Sequence, residues 1–247
     1  MGRYAAFLVK RINLLRARIA GKDLEALRKM PQPAYEPVNL VPTPELIPEV
    51  RQRFQDLYLY NLIWRDDISR LTAEMTEQQA WLKQILTVKR SSLNWLAGWF
   101  NATTDAAAIT LQDFWGGSLA GTRDPVIPPA FTRKGEEEIQ RFLGEMEDAM
   151  AEPKEIAGQR VKFEQWYRNR FMETWQGFLA AFPGGRERLR GQAEWQTVAV
   201  AMASDQGPYR ALFQKMDSEL VAFAGRKGIP PWLGLAHTYG KIGRAHV

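Results

Sequence analysis

Few side chains in this 247-residue chain are of types that do chemistry. Cysteine is absent, which removes disulfide frameworks, cysteine-ligated zinc and thiol nucleophiles. The imidazoles are His237 and His246, both in the last eleven residues, so a Ser-His-Asp relay or a helical zinc pair lacks parts. GxxxxGK(S/T) and GxGxxG loops are missing. Gly116-Gly117-Ser118 has no following lysine to reach a phosphate and reads as loop. Asp66-Asp67 and Glu136-Glu137-Glu138 are adjacent carboxylates; neighbours on a helix point in different directions, so they read as solvated faces. The expectation is a chain with no catalytic residue, no cofactor, no metal and no small-molecule substrate. An enzyme would have to use the loop at 116–131, with Asp113, Arg123 and Asp124 around it.

Two other residue classes stand out, cations and tryptophans. The net charge is +5. The first thirty residues alone hold eight Lys or Arg against two acidic residues. Leu8, Ile12, Leu15 and Ile19 mark an amphipathic helix there, and Lys10, Arg11, Arg16 and Arg18 fall off its apolar stripe. These four are the candidate contacts for an anionic surface, whether lipid or nucleic acid; an ordinary solvated face is the alternative. The nine tryptophans are Trp64, Trp81, Trp95, Trp99, Trp115, Trp166, Trp175, Trp195 and Trp232. Their helical spacing beside Leu, Phe and Ile makes them plugs between helices. Asn61, Trp64, Trp95, Trp99, Trp115, Trp166 and Trp175 form the candidate packing or partner surface, with a partner groove of Trp95, Trp99 and Trp115 as one version. Base stacking would need aromatics interleaved with cations on one exposed face. Only Trp166-Tyr167-Arg168 with Arg170 and Phe171 comes near, and its spacing turns the rings inward.

Helices must position all of this, because no alternating run bounded by hairpin turns occurs. The fold class is all-α, a multi-helix bundle of long aromatic-rich helices with a proline-rich connector. A basic helix over residues 1–30 stops near Gly21. Residues 31–48 hold six prolines and read as an extended connector, with a proline-rich ligand as the other use. A helical bundle domain follows over 49–235, with a split into two sub-bundles near 116–131 as one version, and residues 236–247 form a tail. Val50, Phe54, Leu57, Asn61, Trp64, Ile68, Leu71 and Met75 repeat at 4-3 spacing. This predicts one long helix whose seam is buried in the bundle and whose Asn61 needs a partner. An oligomeric coiled coil is less favoured, because no second comparable seam occurs. Further helices are predicted from a Thr76–Gln79 capping box, from Ser91 or Ser92, and from Thr110 to Trp115. Others run from Thr132 to about Met150 and from Pro153 to Pro183, then over 186–204 and 208–225. A last short element carries Trp232 and Leu235.

Several phrases resemble the IcmF/TssM proteins, inner-membrane core subunits of bacterial type VI secretion systems. They are Arg11-Ile12-Asn13-Leu14-Leu15-Arg16-Ala17-Arg18, Leu111-Gln112-Asp113-Phe114-Trp115-Gly116-Gly117 and Ile127-Pro128-Pro129-Ala130-Phe131-Thr132. Trp166-Tyr167, Trp175, Phe182-Pro183, Trp195 and Gly207-Pro208-Tyr209 add to them. The resemblance spans residues 3–233. It implies an internal, helical, non-catalytic segment of a longer protein, without the family's P-loop part and without its mainly β part. Its implied partners are other subunits of the secretion membrane complex and further copies of itself. The implied location is the inner membrane, with this segment in the periplasm. The basic start, if it directly followed a span, would favour the cytoplasmic face instead. No run of eighteen apolar residues predicts a span within the chain.

Overall fold

The first thirty residues form two helices. α1, Gly2–Ile19, carries the expected stripe but is buried well beyond it, since Ala5, Ala6, Val9, Leu14 and Ala17 are also buried. Gly21 N–H bonds to the Arg18 carbonyl and Lys22 N–H to the Ala17 carbonyl, a Schellman closure. The Asp23 carboxylate then accepts the Ala26 N–H at 2.8 Å and opens α2, Leu24–Arg28. These coordinates are a computed structural model that describes residues 2–34, 47–88, 92–119, 124–203 and 206–221. Most of the proline-rich connector therefore lies outside the described residues, as do Ser91, Arg123, the 228–235 element with Trp232, the tail, His237 and His246.

The 4-3 seam does not belong to one helix. α3, Ile47–Trp64, and α4, Ile68–Val88, are separated at residues 65–67. The break is a capping event. Asp67 Oδ1 accepts the Arg70 N–H at 3.0 Å and the Asp67 carbonyl accepts that of Leu71, so a new helix starts where the periodicity runs on undisturbed. The seam is also not buried. Leu59, Leu62 and Leu71 enter the core, whereas Leu57 is 61% and Trp64 74% exposed, with Phe54, Asn61 and Ile68 exposed too. Nor does Thr76 cap a helix. It lies inside α4 and bonds back to the Thr72 carbonyl at 2.9 Å.

The remaining elements follow their turn residues more closely. They are α5 (Trp95–Thr103), β1 (Ile109–Thr110), α6 (Gln112–Trp115), β2 (Val126–Ile127), a 3-10 helix at Pro129–Phe131, α7 (Arg133–Ala149) and α8 (Lys154–Ala181). A second 3-10 helix at Phe182–Arg188, then α9 (Gly191–Ala203) and α10 (Pro208–Glu219) complete the order. Thr132 caps α7 as expected, its hydroxyl accepting the Gly135 N–H at 3.1 Å. Thr110 precedes α6, where the Asp113 carboxylate accepts both its N–H at 2.7 Å and its hydroxyl at 3.1 Å. Among the described residues the fold is all-α apart from one antiparallel pair, with Ile109 opposite Ile127 and Thr110 opposite Val126. Strands of two residues have no alternation to read. The 116–131 stretch accordingly holds β2 and a 3-10 helix rather than uninterrupted loop.

Two compact units divide the chain differently from the sequence expectation. The first comprises Met1–Trp99 and Gln140–Gln165, the second Phe100–Ile139 and Trp166–Val247. The basic helix does not stand apart: α1 packs chiefly along α4, with α2 and α3 beside it. The first unit's core joins Leu14, Leu15 and Leu27 to Leu59, Leu62 and Leu71. Beside it, Glu74 receives Arg11 at 2.8 Å and Arg65 at 2.6 Å, and the Arg11 guanidinium lies 5.1 Å from the Tyr58 ring centre. In the second unit the core follows one face of α8 through Phe171, Trp175 and Phe178 to Phe182 beyond its end.

Burial pushes the Glu74 carboxyl up, but hydrogen bonds and charge from Arg65 and Arg11 outweigh it and hold the group below its ordinary 4.5. A carboxylate with a depressed folded pKa adds stability above the unfolded value and loses it as pH falls through the folded one. Glu74→Gln should therefore lower urea stability near neutral pH by about 1–3 kcal/mol. The gap between the two proteins should close as the solution is taken below pH 4.5.

Candidate functional site

A helix leaves its last four carbonyls without internal donors, and its C-terminus carries partial negative charge. In the first unit, α1 supplies donors to two such ends. Arg18 donates from Nε to the Leu62 carbonyl at 3.1 Å and from Nη2 to those of Ile63 at 3.1 Å and Arg65 at 3.4 Å, closing α3. Arg16 Nη2 reaches the Met150 carbonyl at 3.1 Å, just past the end of α7. Asn13 Nδ2 donates to the Glu145 carbonyl and Gln79 Nε2 of α4 to that of Ala149, both at 2.9 Å. Arg11 is held by Glu74. Arg11, Arg16 and Arg18 are thus not the solvated basic face the sequence suggests: their charged ends bond to the protein's own acceptors. Lys10 is half-buried near Glu145. Burial raises the Glu145 carboxyl, and Lys10 and Arg141 pull it part of the way back.

The second unit holds a buried guanidinium, Arg188. This side chain, 7% exposed, pairs with Asp124 and donates to the Gly116 carbonyl at 3.3 Å, with Gln112 Oε1 at 3.5 Å. Its own carbonyl accepts the Leu119 N–H at 3.1 Å. Gly117 sits against that carbonyl at φ +82°; a Cβ there would lie 2.5 Å from the Arg188 oxygen, so both conformation and space require glycine. Trp115 packs edge-on to Tyr209 at 5.7 Å and tilted on Phe182 at 5.6 Å, while Phe114 meets Phe182 at 5.4 Å. Gly185 lets the Trp115 ring approach so closely that a Cβ would fall 2.2 Å from its Cδ1. A second group builds on Pro129–Phe131. Trp175 Nε1 donates to the Phe131 carbonyl at 3.0 Å, the Tyr167 hydroxyl donates to that of Ala130, and the Phe131 ring stacks on Tyr167 at 5.7 Å. Burial first, then the Glu136 charge, pushes the Tyr167 hydroxyl far up, so it remains a donor.

The expected surface residues divide. Trp115 and Trp175 are buried plugs of the second unit, and Trp166 is half-buried there. In the first unit Trp95 meets Trp99 edge-on at 6.4 Å, and Trp99 lies 4.8 Å from Phe142. Trp64 is exposed and stacks on Tyr60 at 5.8 Å. Asn61, expected in a buried seam, is exposed instead. It borders an open groove of about 680 Å³ lined also by Arg65, Arg70, Ala73, Glu74 and Glu77. Sequence reasoning missed Arg188, Asn13 and Gln79, whose partners lie far along the chain. It also placed Glu136 in solvent, where the structure buries it. Among the described residues no three His, Cys, Asp or Glu side chains are grouped to hold a metal ion. No family model, curated protein or solved structure matches the chain.

Two variants gauge the second unit. Gly185→Ala forces a methyl group into a packed ring and should cost about 1–3 kcal/mol of stability. Arg188→Met strands Asp124 and the Gly116 carbonyl and should cost about 3–5 kcal/mol. Urea denaturation followed by tryptophan fluorescence reads both.

Proposed function

We propose that this chain is a non-catalytic structural segment of a type VI secretion membrane-complex subunit, giving the larger protein rigidity and contacts with other subunits. One observation carries the reading. The phrases that resemble the IcmF/TssM proteins are separated by tens of residues, and in the second unit several of them meet. Leu111–Gly117 packs against Phe182, Gly185 and Tyr209, and the Ile127–Thr132 phrase receives Tyr167 and Trp175. Such phrases are what a shared packing arrangement would need. The resemblance puts the segment in the periplasm beside the inner membrane, with the cytoplasmic face as the alternative. No helix among the described residues is long and apolar enough to cross a membrane, so attachment would come from elsewhere in the larger protein. A basic module for anionic lipid or nucleic acid draws less support, since Arg11, Arg16 and Arg18 are engaged within the fold.

Deleting residues 49–221 from the full-length subunit in cells tests the proposal. Loss of membrane-complex assembly and of secretion, with the truncated subunit still present at normal level, is the expected outcome. Intact assembly and secretion would reject it.

A further inference from the structure

The break between α3 and α4 falls in Trp64-Arg65-Asp66-Asp67-Ile68, where neither glycine nor proline interrupts the chain. The apolar 4-3 period runs through it from Val50 to Met75, although the stripe it describes is continuous only on an unbroken helix. Side chains hold the bend. Arg18 takes the carbonyls of Leu62, Ile63 and Arg65, and the Asp67 carboxylate takes the Arg70 N–H. In an unbroken helix those three carbonyls would accept from Asp66, Asp67 and Ser69, and Arg70 would donate to the Asp66 carbonyl. Both forms therefore satisfy the same backbone groups with different partners. Arg65 and Glu74 pair only in the bent form. They meet at 2.6 Å, yet nine residues of continuous helix would set them about 13 Å apart along the axis and on opposite faces. The open groove bordered by Asn61 and Arg65 on one side and Arg70, Ala73, Glu74 and Glu77 on the other occupies the crook of the bend.

We propose that residues 47–88 are a two-state element, with the observed bent pair as one form and a single straight helix carrying the whole seam as the other. Arg18, the Asp67 cap and the Arg65–Glu74 pair are the latch between them. Burial of Leu59 and Leu62 with Leu14, Leu15 and Leu27 favours the bent form, so the straight form stays minor until the latch is released. The core also explains why the period is only partly used in the bent form. Leu71 is buried with Leu59 and Leu62, while Leu57, Trp64 and Ile68 remain exposed. α4 is tied to the Ala149 carbonyl through Gln79 and to Arg11 of α1 through Glu74, so α3 is the part that moves.

Because the chain has no cysteine, spin labels on Gln52→Cys and Gln84→Cys, both at exposed positions, read the switch by pulsed dipolar spectroscopy. A straight helix sets these two sites about 48 Å apart, and the bent pair sets them closer. The labelled full chain should give mainly the shorter distance. Adding Arg18→Met and Asp67→Ala removes latch contacts and puts the best helix former at the joint, and should shift a population to about 48 Å. Ile68→Pro is the control. Proline suits the first position of α4 but breaks the interior of a continuous helix, so adding it should abolish the long-distance population and restore the shorter one. The proposal is overturned if the Arg18→Met, Asp67→Ala protein shows no component near the straight-helix distance, or if that component survives Ile68→Pro. A broad spread of distances with loss of helical circular dichroism would also overturn it, because α3 would then have melted instead of straightening.

Discussion

Where a helix ends, its carbonyls must find donors, and the first unit meets that demand with the cations of one helix. Arg18 closes α3, and Arg16 reaches the carbonyl just past α7. The geometry explains why arginine fills this role: one planar guanidinium presents several N–H groups, so Arg18 engages three carbonyls with one side chain. Lysine would bring a compact, strongly hydrated charge. Because these donors point inward, α1 becomes a central strut of its unit. The charge excess that makes the chain's start look like a lipid- or nucleic-acid-facing element largely serves internal acceptors.

The second unit solves a related problem with neutral donors. The carbonyls of Ala130 and Phe131, in a short 3-10 helix, are bonded by Tyr167 and Trp175 from α8. Each ring thus fills volume and satisfies backbone at once, which suits an interior where an unpaired carbonyl is costly. Arg188 adds a guanidinium to these joints, tying the turn after α6 to Asp124. The result is an aromatic interior pinned at a few polar points.

Helix existence was legible because its signals are local. Gly21, Thr132, Pro183 and Pro208 mark ends or starts within a residue or two of where the chain turns. The seam on α3 was legible as a period and misleading as to burial, since 4-3 spacing describes a stripe without saying what covers it. Asp67 broke the predicted long helix because a capping carboxylate leaves the apolar period intact. The inward roles of Arg16, Arg18 and Arg188 were invisible for a different reason. Their acceptors are backbone carbonyls or carboxylates far along the chain, and any residue type supplies a carbonyl. Helical patterns therefore revealed the elements and much of the aromatic core, while the polar joints that hold the elements in place needed coordinates.

The capping role of α1 is open to direct measurement. Replacing Arg16 and Arg18 together by methionine keeps the apolar length of each side chain and removes every donor. Equilibrium urea unfolding of this variant beside the parent should show a loss of about 2–4 kcal/mol, as expected when several part-buried carbonyls lose their partners. A variant as stable as its parent, within about 0.5 kcal/mol as for ordinary surface substitutions, would mean that the two arginines sit on the surface as idle charges.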